Sequence, residues 1–254
     1  MSDRPQLGIQ LYTVRDLTGD DVFKDTLAAL AELGFEGVEF AWRYGGMPPA
    51  ELAAFLQSLG LACCGLHVQL EELLDPGHVV YDYATACGSP YITTSLCAQV
   101  DGWGDLLPQV GAAAETARSH GLQFTYHNHW QEFVTFDGSY ALDVMKEQTD
   151  PALVQFELDL GWITKAGVEA MGYWHDYAGR VPQIHLRDYS AARETVCDIG
   201  DGFIDVAAVV EQARAMGTRW LIYEQDAYPV SPLASAEVCA RRCRAAGLGA
   251  GCGA

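Results

Sequence analysis

The sequence has no uninterrupted apolar run of the roughly 18 residues that a membrane-spanning helix needs. Its first residues run directly into a strand-like segment, without the apolar core of a secretory signal peptide. Basic residues are scarce, because 15 lysines and arginines stand against 34 aspartates and glutamates. The net charge of −19 repels the phosphates of nucleic acids and of anionic membranes. We therefore expect a cytoplasmic protein with neither nucleic acid nor membrane as a partner.

Paired cysteine motifs are missing as well. The eight cysteines include no CxxC pair, and in a cytoplasmic protein they do not predict a disulfide framework. Most of them are expected to be small buried apolar side chains. Cys239 and Cys243 lie four residues apart on a predicted helix, but a zinc site there needs further ligands. No GxGxxG fingerprint follows the first predicted strand, which argues against a dinucleotide-binding fold.

Short apolar segments do recur, and they alternate with helical patterns along the whole chain. Half of the residues are hydrophobic, which is enough for a sizeable core. The eight predicted strands are Leu7–Leu11, Gly37–Phe40, Leu61–His67, Tyr91–Ser95, Gln123–His127, Val154–Asp159, Val181–Leu186 and Trp220–Glu224. The predicted helices are Val22–Leu33, Pro48–Leu59, Val110–His120, Tyr140–Gln148, Val206–Met216 and Leu233–Ala246.

The spacing of these strands predicts the fold class. The strands recur about every 30 residues, which is the length of one strand–helix unit. Eight such units predict an α/β protein whose parallel sheet closes into a (β/α)8 barrel, the TIM barrel, with an open doubly wound sheet as the alternative. We expect a single domain over residues 1–254, in which the Gly- and Ala-rich residues 247–254 form a frayed tail.

Residues that can bind a metal collect at the carboxyl ends of the later strands, where TIM barrels carry their catalytic groups. Strands 3, 5, 6, 7 and 8 end in or near His67, the pair His127 and His129, Asp159, His185 and Glu224. Each residue alone has an ordinary structural explanation, such as helix capping or a hydrogen-bonded histidine. Together they predict a mixed nitrogen and oxygen site for one divalent metal at the barrel mouth, with Mn²⁺ expected first and Mg²⁺, Co²⁺, Fe²⁺ or Zn²⁺ as alternatives.

The ordered set of motifs resembles the xylose isomerase-like barrel superfamily, in its sugar phosphate isomerase/epimerase branch. The motifs that carry the resemblance span nearly the whole chain and occupy residues 7–15, 34–39, 126–133, 157–159, 185–188 and 223–226. The superfamily includes tagatose and psicose 3-epimerases, inosose dehydratase, hydroxypyruvate isomerase and endonuclease IV. The resemblance implies a metal enzyme that acts on a small sugar or polyol derivative, assembled as a homodimer or homotetramer.

The resemblance also implies a ligand set. Epimerases of this kind bind the metal through a Glu from strand 5, an Asp from strand 6, a His from strand 7 and a Glu from strand 8. The matching residues here are Asp159, His185 and Glu224. Strand 5 departs from the pattern, because His127 stands where epimerases place Glu and Glu132 lies further along the chain. The fourth ligand is therefore either His127 or Glu132, and one glutamate of the epimerase acid/base pair is missing.

The chemistry implied by the resemblance is removal of a proton next to a metal-bound carbonyl. The residues expected to move the proton are Glu224, Glu132 and His129. The residues expected to bind the substrate are His67, Arg187 and Trp162. Isomerisation or epimerisation is the leading expectation. Dehydration or elimination is the alternative, because His-Asn-His sequences occur in inosose dehydratase-like proteins and in enzymes that act on 3-keto-glycosides. More distant alternatives are a phosphodiesterase like endonuclease IV and a non-catalytic barrel.

Overall fold

The computed structural model describes residues 4–97, 102–136 and 138–248. Eight parallel strands form one closed barrel, in which each strand pairs with its neighbours in the chain and the first pairs with the last. The strands are β1 (Gln6–Gln10), β2 (Gly37–Ala41), β3 (Ala62–His67), β4 (Tyr91–Thr94), β5 (Gln123–His127), β6 (Val154–Asp159), β7 (Gln183–Leu186) and β8 (Trp220–Tyr223). The predicted TIM barrel is confirmed, and the doubly wound alternative is wrong.

Helices surround the barrel. The α-helices in the described residues are α1 (Phe23–Glu32), α2 (Pro49–Leu59), α3 (Leu70–Leu74), α4 (Val80–Ala86), α5 (Trp103–Ser119), α6 (Ala141–Gln148), α7 (Leu160–Lys165), α8 (Ala170–His175), α9 (Val206–Met216) and α10 (Pro232–Ala245). In the described part of the chain, two 3₁₀ helices and two small antiparallel hairpins lie in the connections. Within these described ranges, no helix has the length and apolar character needed to cross a membrane.

The sequence patterns predict the strands better than the helices. All eight predicted strands are confirmed, with ends that differ by no more than two residues. Helices α3, α4, α7 and α8 were not predicted, because helices of five to seven residues contain too few turns to show a 3.6-residue period. Helix α5 begins earlier than predicted, since Pro108 lies inside that helix.

Glycine ends two of the helices. Gly60 and Gly217 take left-handed conformations at the carboxyl ends of α2 and α9, with φ values of 70° and 71°. At the end of the chain, Leu248 is buried and its N–H donates to the carbonyl of Cys243. Residues 249–254 lie outside the described residues, so the frayed tail over residues 247–254 stays a prediction.

The main hydrophobic core lies between the barrel and the helices. In β6, Phe156 and Leu158 belong to this core, whereas Glu157 and Asp159 alternate with them along the strand. Side chains alternate between the two faces of a strand, so the two acidic residues point into the barrel. The alternation that places apolar side chains against the helices therefore also places carboxylates inside the barrel.

The interior of the barrel changes from apolar at its floor to polar above it. The floor is a small cluster of Cys64, Trp220 and Ile222. Thr93 and Thr125 share a hydrogen bond of 2.7 Å, and Thr125 donates to Gln183 Oε1 at 3.0 Å. The side-chain amide Nε2 of Gln183 donates to the backbone carbonyl oxygen of Cys64 at 3.1 Å. These hydrogen bonds satisfy buried polar groups below the mouth, as a polar interior requires.

A close approach at the floor generates a stability prediction. A Cβ atom added to Gly37 would lie 2.7 Å from the ring of Trp220. We expect Gly37→Ala to lower the free energy of unfolding by about 1–3 kcal/mol, because the packed ring has to shift. Gly111 lies within α5, and a Cβ there meets nothing within 4 Å. Gly111→Ala should raise the free energy by about 0.4–1 kcal/mol. Urea unfolding of both variants measures this, and equal stability of Gly37→Ala and wild type would contradict the packing argument.

Candidate metal and substrate site

Four side chains from consecutive strands meet at the barrel mouth. His127 ends β5, Asp159 ends β6, His185 lies in β7 and Glu224 directly follows β8. Ligand atoms from these four residues lie within 4.8 Å of one another, and all four residues are buried. We call this group the upper cluster. It brings together two nitrogen and two oxygen donors, a set that suits several divalent metals.

Asp159 has a structural duty in addition to its place in the upper cluster. Its Oδ1 accepts a hydrogen bond of 2.8 Å from the N–H of Trp162, so it caps the amino end of α7. Its own N–H donates to Oδ1 of Asn128 at 3.1 Å. Gly161 lies between Asp159 and Trp162 in the sequence. It approaches the backbone of Arg187 so closely that an added Cβ atom would lie 2.6 Å from the Arg187 carbonyl oxygen. The turn after β6 therefore fixes the carboxylate of Asp159 tightly.

Arg187 holds two members of the upper cluster. Its Nε donates to Oδ2 of Asp159 at 2.8 Å, and its Nη2 lies 2.7 Å from Oε2 of Glu224. A third contact joins Nη1 to Asp226. Burial opposes the charge of Glu224, but Arg187 and then His185 outweigh it and lower the pKa of that carboxyl. Glu224 is therefore ionised at neutral pH, as a metal ligand must be.

A second group of polar residues lies around the inner side of His185. Nε2 of His185 lies 2.8 Å from Oε2 of Glu39 and 3.0 Å from Oε1 of Glu157. Nδ1 of His67 lies 3.5 Å from Oε1 of Glu39. We call Glu39, His67 and Glu157 the lower cluster, and their ligand atoms also lie within 4.8 Å of one another.

The sequence analysis did not select Glu39 and Glu157 as site residues. Each stands between two apolar residues in the middle of a barrel strand, and both are fully buried. A buried carboxylate is costly unless it is paired, so a Glu at such a position was a usable signal. Both residues lie before the strand ends, and the predicted site included only residues at or after those ends.

His185 connects the two clusters through its two ring nitrogens. Nε2 faces the carboxylates of the lower cluster, and Nδ1 lies 2.8 Å from Oε2 of Glu224. Burial lowers the pKa of His185, but Glu157 and Glu39 outweigh burial and raise it well above its ordinary value. A carboxylate behind a histidine orients the ring and increases its basicity toward a metal on the other side. Glu39 is placed to do this for His185.

The balance of charge in the two clusters fits a cation. The clusters contain four buried carboxylates, which face the buried cations Arg187 and His185. Burial and then the neighbouring Glu39 raise the pKa of Glu157, which reflects uncompensated negative charge. Among the described residues, Oε2 of Glu157 finds no hydrogen-bond partner, and Nδ1 of His127 lies 3.3 Å from Oε1 of Glu157 without forming a well-aligned hydrogen bond. A divalent ion held by the upper cluster would supply the positive charge that this arrangement needs.

A cavity of about 570 Å³ opens above the upper cluster, which we call the central cavity. Its wall includes the predicted site residues His67, His127, His129, Trp162, Arg187 and Glu224. Trp42 and Tyr12 lie opposite at the rim, with the indole of Trp42 47% exposed and its backbone at a φ of 56°. Non-glycine residues with positive φ are uncommon and tend to occur at functional sites. The cavity has the volume of a small-molecule site.

His129 and Glu132 differ in their access to the central cavity. His129 lines it, and burial lowers its pKa to about 4 despite the nearby Glu224, so the imidazole is neutral at pH 7. Glu132 does not line the cavity. Its Oε1 accepts from the hydroxyl of Tyr126 at 2.7 Å and its Oε2 from the N–H of His129 at 3.0 Å. The structure thus groups His127, and not Glu132, with the other three predicted ligands.

Comparisons with known proteins agree with the barrel fold. The family model of the xylose isomerase-like TIM barrel matches residues 27–242. The inosose dehydratase of Geobacillus kaustophilus (strain HTA426) is 24% identical over an alignment that covers 83% of this chain and 82% of that protein.

Two solved structures share the fold over almost their full length. A sugar phosphate isomerase/epimerase from Parabacteroides distasonis ATCC 8503 has a TM-score of 0.76 at 18% identity, covering 95% of this chain and 93% of that one. A probable 3-DHS dehydratase from Bacillus anthracis has a TM-score of 0.73 at 12% identity, covering 92% of this chain and 97% of that one. At these identities the likeness establishes the fold.

The geometry predicts which strand 5 residue is the fourth ligand. We expect the protein dialysed against Mn²⁺ to retain about one ion per chain. His127→Ala should lose most of it, because a nitrogen of the upper cluster is removed. Glu132→Gln should retain it, because the amide preserves the hydrogen-bond acceptor outside the cluster. Elemental analysis measures the ion, and circular dichroism checks that both variants fold. The reverse pattern would make Glu132 the fourth ligand.

Proposed function

Because the chain belongs to the xylose isomerase-like TIM barrel family, we propose that it is a divalent-metal-dependent enzyme for small sugar or polyol derivatives. The proposed reaction begins with removal of a proton next to a carbonyl and ends with expulsion of an oxygen from the neighbouring carbon. It is thus a dehydratase or lyase of keto-inositol or 3-keto-glycoside type. The observation that carries the proposal is the buried upper cluster at the base of the central cavity.

The proposal assigns the metal to His127, Asp159, His185 and Glu224. A bound Mn²⁺ or similar ion supplies Lewis acidity, which polarises a carbonyl and makes the adjacent C–H more acidic. Arg187 favours the ionised form of the two carboxylate ligands and holds them in place through its contacts of 2.7 and 2.8 Å. The deeper His127 and His185 are shielded from water, which strengthens every charge interaction in the site.

We assign the proton transfer to His129. Its ring is neutral at pH 7, its Nδ1 has no hydrogen-bond partner among the described residues, and it lines the central cavity. A neutral imidazole with a free nitrogen can accept a proton, and the nearby carboxylate of Glu224 favours the imidazolium that forms. Glu132 is assigned a positioning role instead of the predicted catalytic one, because its carboxylate accepts a hydrogen bond from the backbone N–H of His129.

Substrate binding is assigned to the remaining cavity residues. His67 shares a hydrogen bond of 3.0 Å with the hydroxyl of Ser95, and both line the central cavity. They offer donors and acceptors to sugar hydroxyls. The indole of Trp162 lies 5.4 Å from the ring of His129, measured between centroids, and forms an apolar wall beside the proposed base. Aromatic walls suit the C–H faces of sugars and cyclic polyols.

Elimination is preferred because the acid/base set is asymmetric. A two-base epimerisation uses one group on each face of the substrate, and one glutamate of the epimerase pair is replaced here by His127. Elimination needs a base for the C–H and an acid for the departing oxygen, which a single imidazole and its neighbours can provide. The similarity to an inosose dehydratase over most of both chains supports the same choice.

Isomerisation or epimerisation is the second candidate. The ring of His127 stands between His67 and His129, with centroid distances of 5.2 and 5.0 Å. Two outer imidazoles separated in this way would suit proton transfer at two positions of a substrate. The fold likeness to a sugar phosphate isomerase/epimerase is compatible with this reaction. Small-molecule substrates, the homo-oligomer and the lack of a nucleic acid partner remain predictions.

The function is tested by variants of a ligand and of the proposed base. We expect the Mn²⁺ enzyme to convert 2-keto-myo-inositol or a 3-keto-glucoside to an unsaturated ketone that absorbs in the ultraviolet. Asp159→Asn should lose metal and turnover together. His129→Gln should keep its metal and lose about 10²–10⁴-fold in rate, the typical contribution of a positioned base. His175, exposed on α8, provides the matched control His175→Gln, with unchanged rate.

The same assay in D₂O separates the two candidate reactions. Elimination yields a product lighter by one water from the keto-inositol, or lighter by the departing alcohol from the 3-keto-glucoside. Epimerisation or isomerisation yields a product of unchanged formula that contains solvent deuterium. Full metal content and full activity in Asp159→Asn would show that the site is assigned wrongly.

A further inference from the structure

A second cleft of about 550 Å³ adjoins the central cavity, which we call the side cleft. Its wall includes Trp162, Lys165, Tyr189, Asp226, Ala227 and Tyr228. Trp162 and Asp226 also line the central cavity, so the two spaces meet along these two side chains. One pyranose ring is smaller than the ligands that fill cavities of this size. The combined space therefore exceeds the needs of a monosaccharide.

The side cleft has aromatic walls. The rings of Trp162 and Tyr189 lie 5.7 Å apart between centroids at an angle of 48°. Nζ of Lys165 lies 4.7 Å from the centroid of Trp162 and 5.5 Å from that of Tyr189, so a cation borders both rings. The indole of Trp162 faces His129 in one direction and Tyr189 in the other. Trp162 can therefore contact a group in either space.

Polar groups at the border of the side cleft are fixed in position. The carboxylate of Asp226 is one third exposed and is held by Arg187. The hydroxyl of Tyr228 accepts from Arg15 at 3.2 Å, and its single proton is shared between the backbone carbonyls of Thr13 and Gln225, so its ring is anchored. A small number of fixed polar groups among aromatic surfaces is the composition of a site that orients a polar organic ligand.

The charges favour a neutral ligand over a phosphorylated one. The donors of Arg187 contact three carboxylates, so this cation is already neutralised. Lys165 lines the side cleft together with Glu194 and Asp226. A phosphate in the side cleft would meet more negative than positive charge, which Coulomb repulsion disfavours. A sugar ring, with C–H faces for the aromatic rings and hydroxyls for the carboxylate and the ammonium, matches the walls.

We propose that the side cleft is a subsite for a second sugar ring, so that the substrate is a neutral disaccharide or glycoside. The reacting ring lies in the central cavity above the upper cluster, and the glycosidic oxygen passes between Trp162 and Asp226. This inference rests on the proposed function, because it needs the first ring at the metal.

The test uses ligands that lack the ketone and therefore bind without reacting. Isothermal titration calorimetry on the Mn²⁺-loaded protein compares D-glucose and its methyl glycosides with the glucose disaccharides of each linkage. At least one disaccharide should bind about tenfold more tightly than the best monosaccharide, equivalent to about 1.4 kcal/mol. Ala227→Trp should fill the side cleft and remove this gain. Val230, three residues away and 85% exposed, provides the matched control Val230→Trp, which should preserve it.

The outcomes separate the subsite from the proposed function. Loss of the disaccharide gain in Ala227→Trp, with glucose affinity and metal content retained, supports the subsite. Equal affinity of wild type for monosaccharides and disaccharides, or an undiminished gain in Ala227→Trp, overturns the subsite and leaves the proposed function standing. A metal-loaded wild type that binds none of these sugars also overturns the subsite, and turnover of 2-keto-myo-inositol then decides the proposed function separately.

Discussion

The geometry of the site depends on the way in which Arg187 holds buried carboxylates together. Its side chain is 2% exposed, follows β7, and contacts carboxylates at the ends of β6 and β8. A buried charge is tolerated when it is paired and hydrogen-bonded. Removal of one partner leaves an uncompensated buried charge, which destabilises the fold. Because the partners belong to different strands, the same contacts fix the strand ends relative to one another. Ion pairing thus determines where Asp159 and Glu224 present their oxygens.

Stability and chemistry depend on different parts of the barrel. The core between strands and helices and the apolar floor around Trp220 bury the large side chains. The interior above the floor holds hydrogen-bonded threonines and Gln183, and above them the two clusters. Buried polar networks of this kind contribute little net stability but define one arrangement when every member is satisfied. Among the described residues, Oε2 of Glu157 has no hydrogen-bond partner, so this network is incomplete without a cation.

Particular residues show what the sequence could and could not predict. Asp159 and His185 were found because strand ends in a parallel barrel must converge, which follows from topology alone. The choice between His127 and Glu132 was open, because the pattern after a strand end does not fix which side chain turns inward. In the structure, the carboxylate of Glu132 accepts hydrogen bonds from the hydroxyl of Tyr126 and the backbone N–H of His129. The pairing of Arg187 with three carboxylates depends on distances across strands, which no local pattern contains. The short helix α7 was missed for lack of periodicity, although its cap residue Asp159 was identified.

That cap connects the metal ligand to the substrate wall. Asp159 accepts the N–H of Trp162, and Gly161 between them approaches the Arg187 backbone so closely that a side chain would not fit. The position of the Trp162 indole is therefore tied to the same carboxylate that faces the upper cluster. Since Trp162 borders both the central cavity and the side cleft, a displacement of this turn changes ligand geometry and both binding surfaces together. One four-residue turn after β6 thus couples the proposed chemistry to the selection of the substrate.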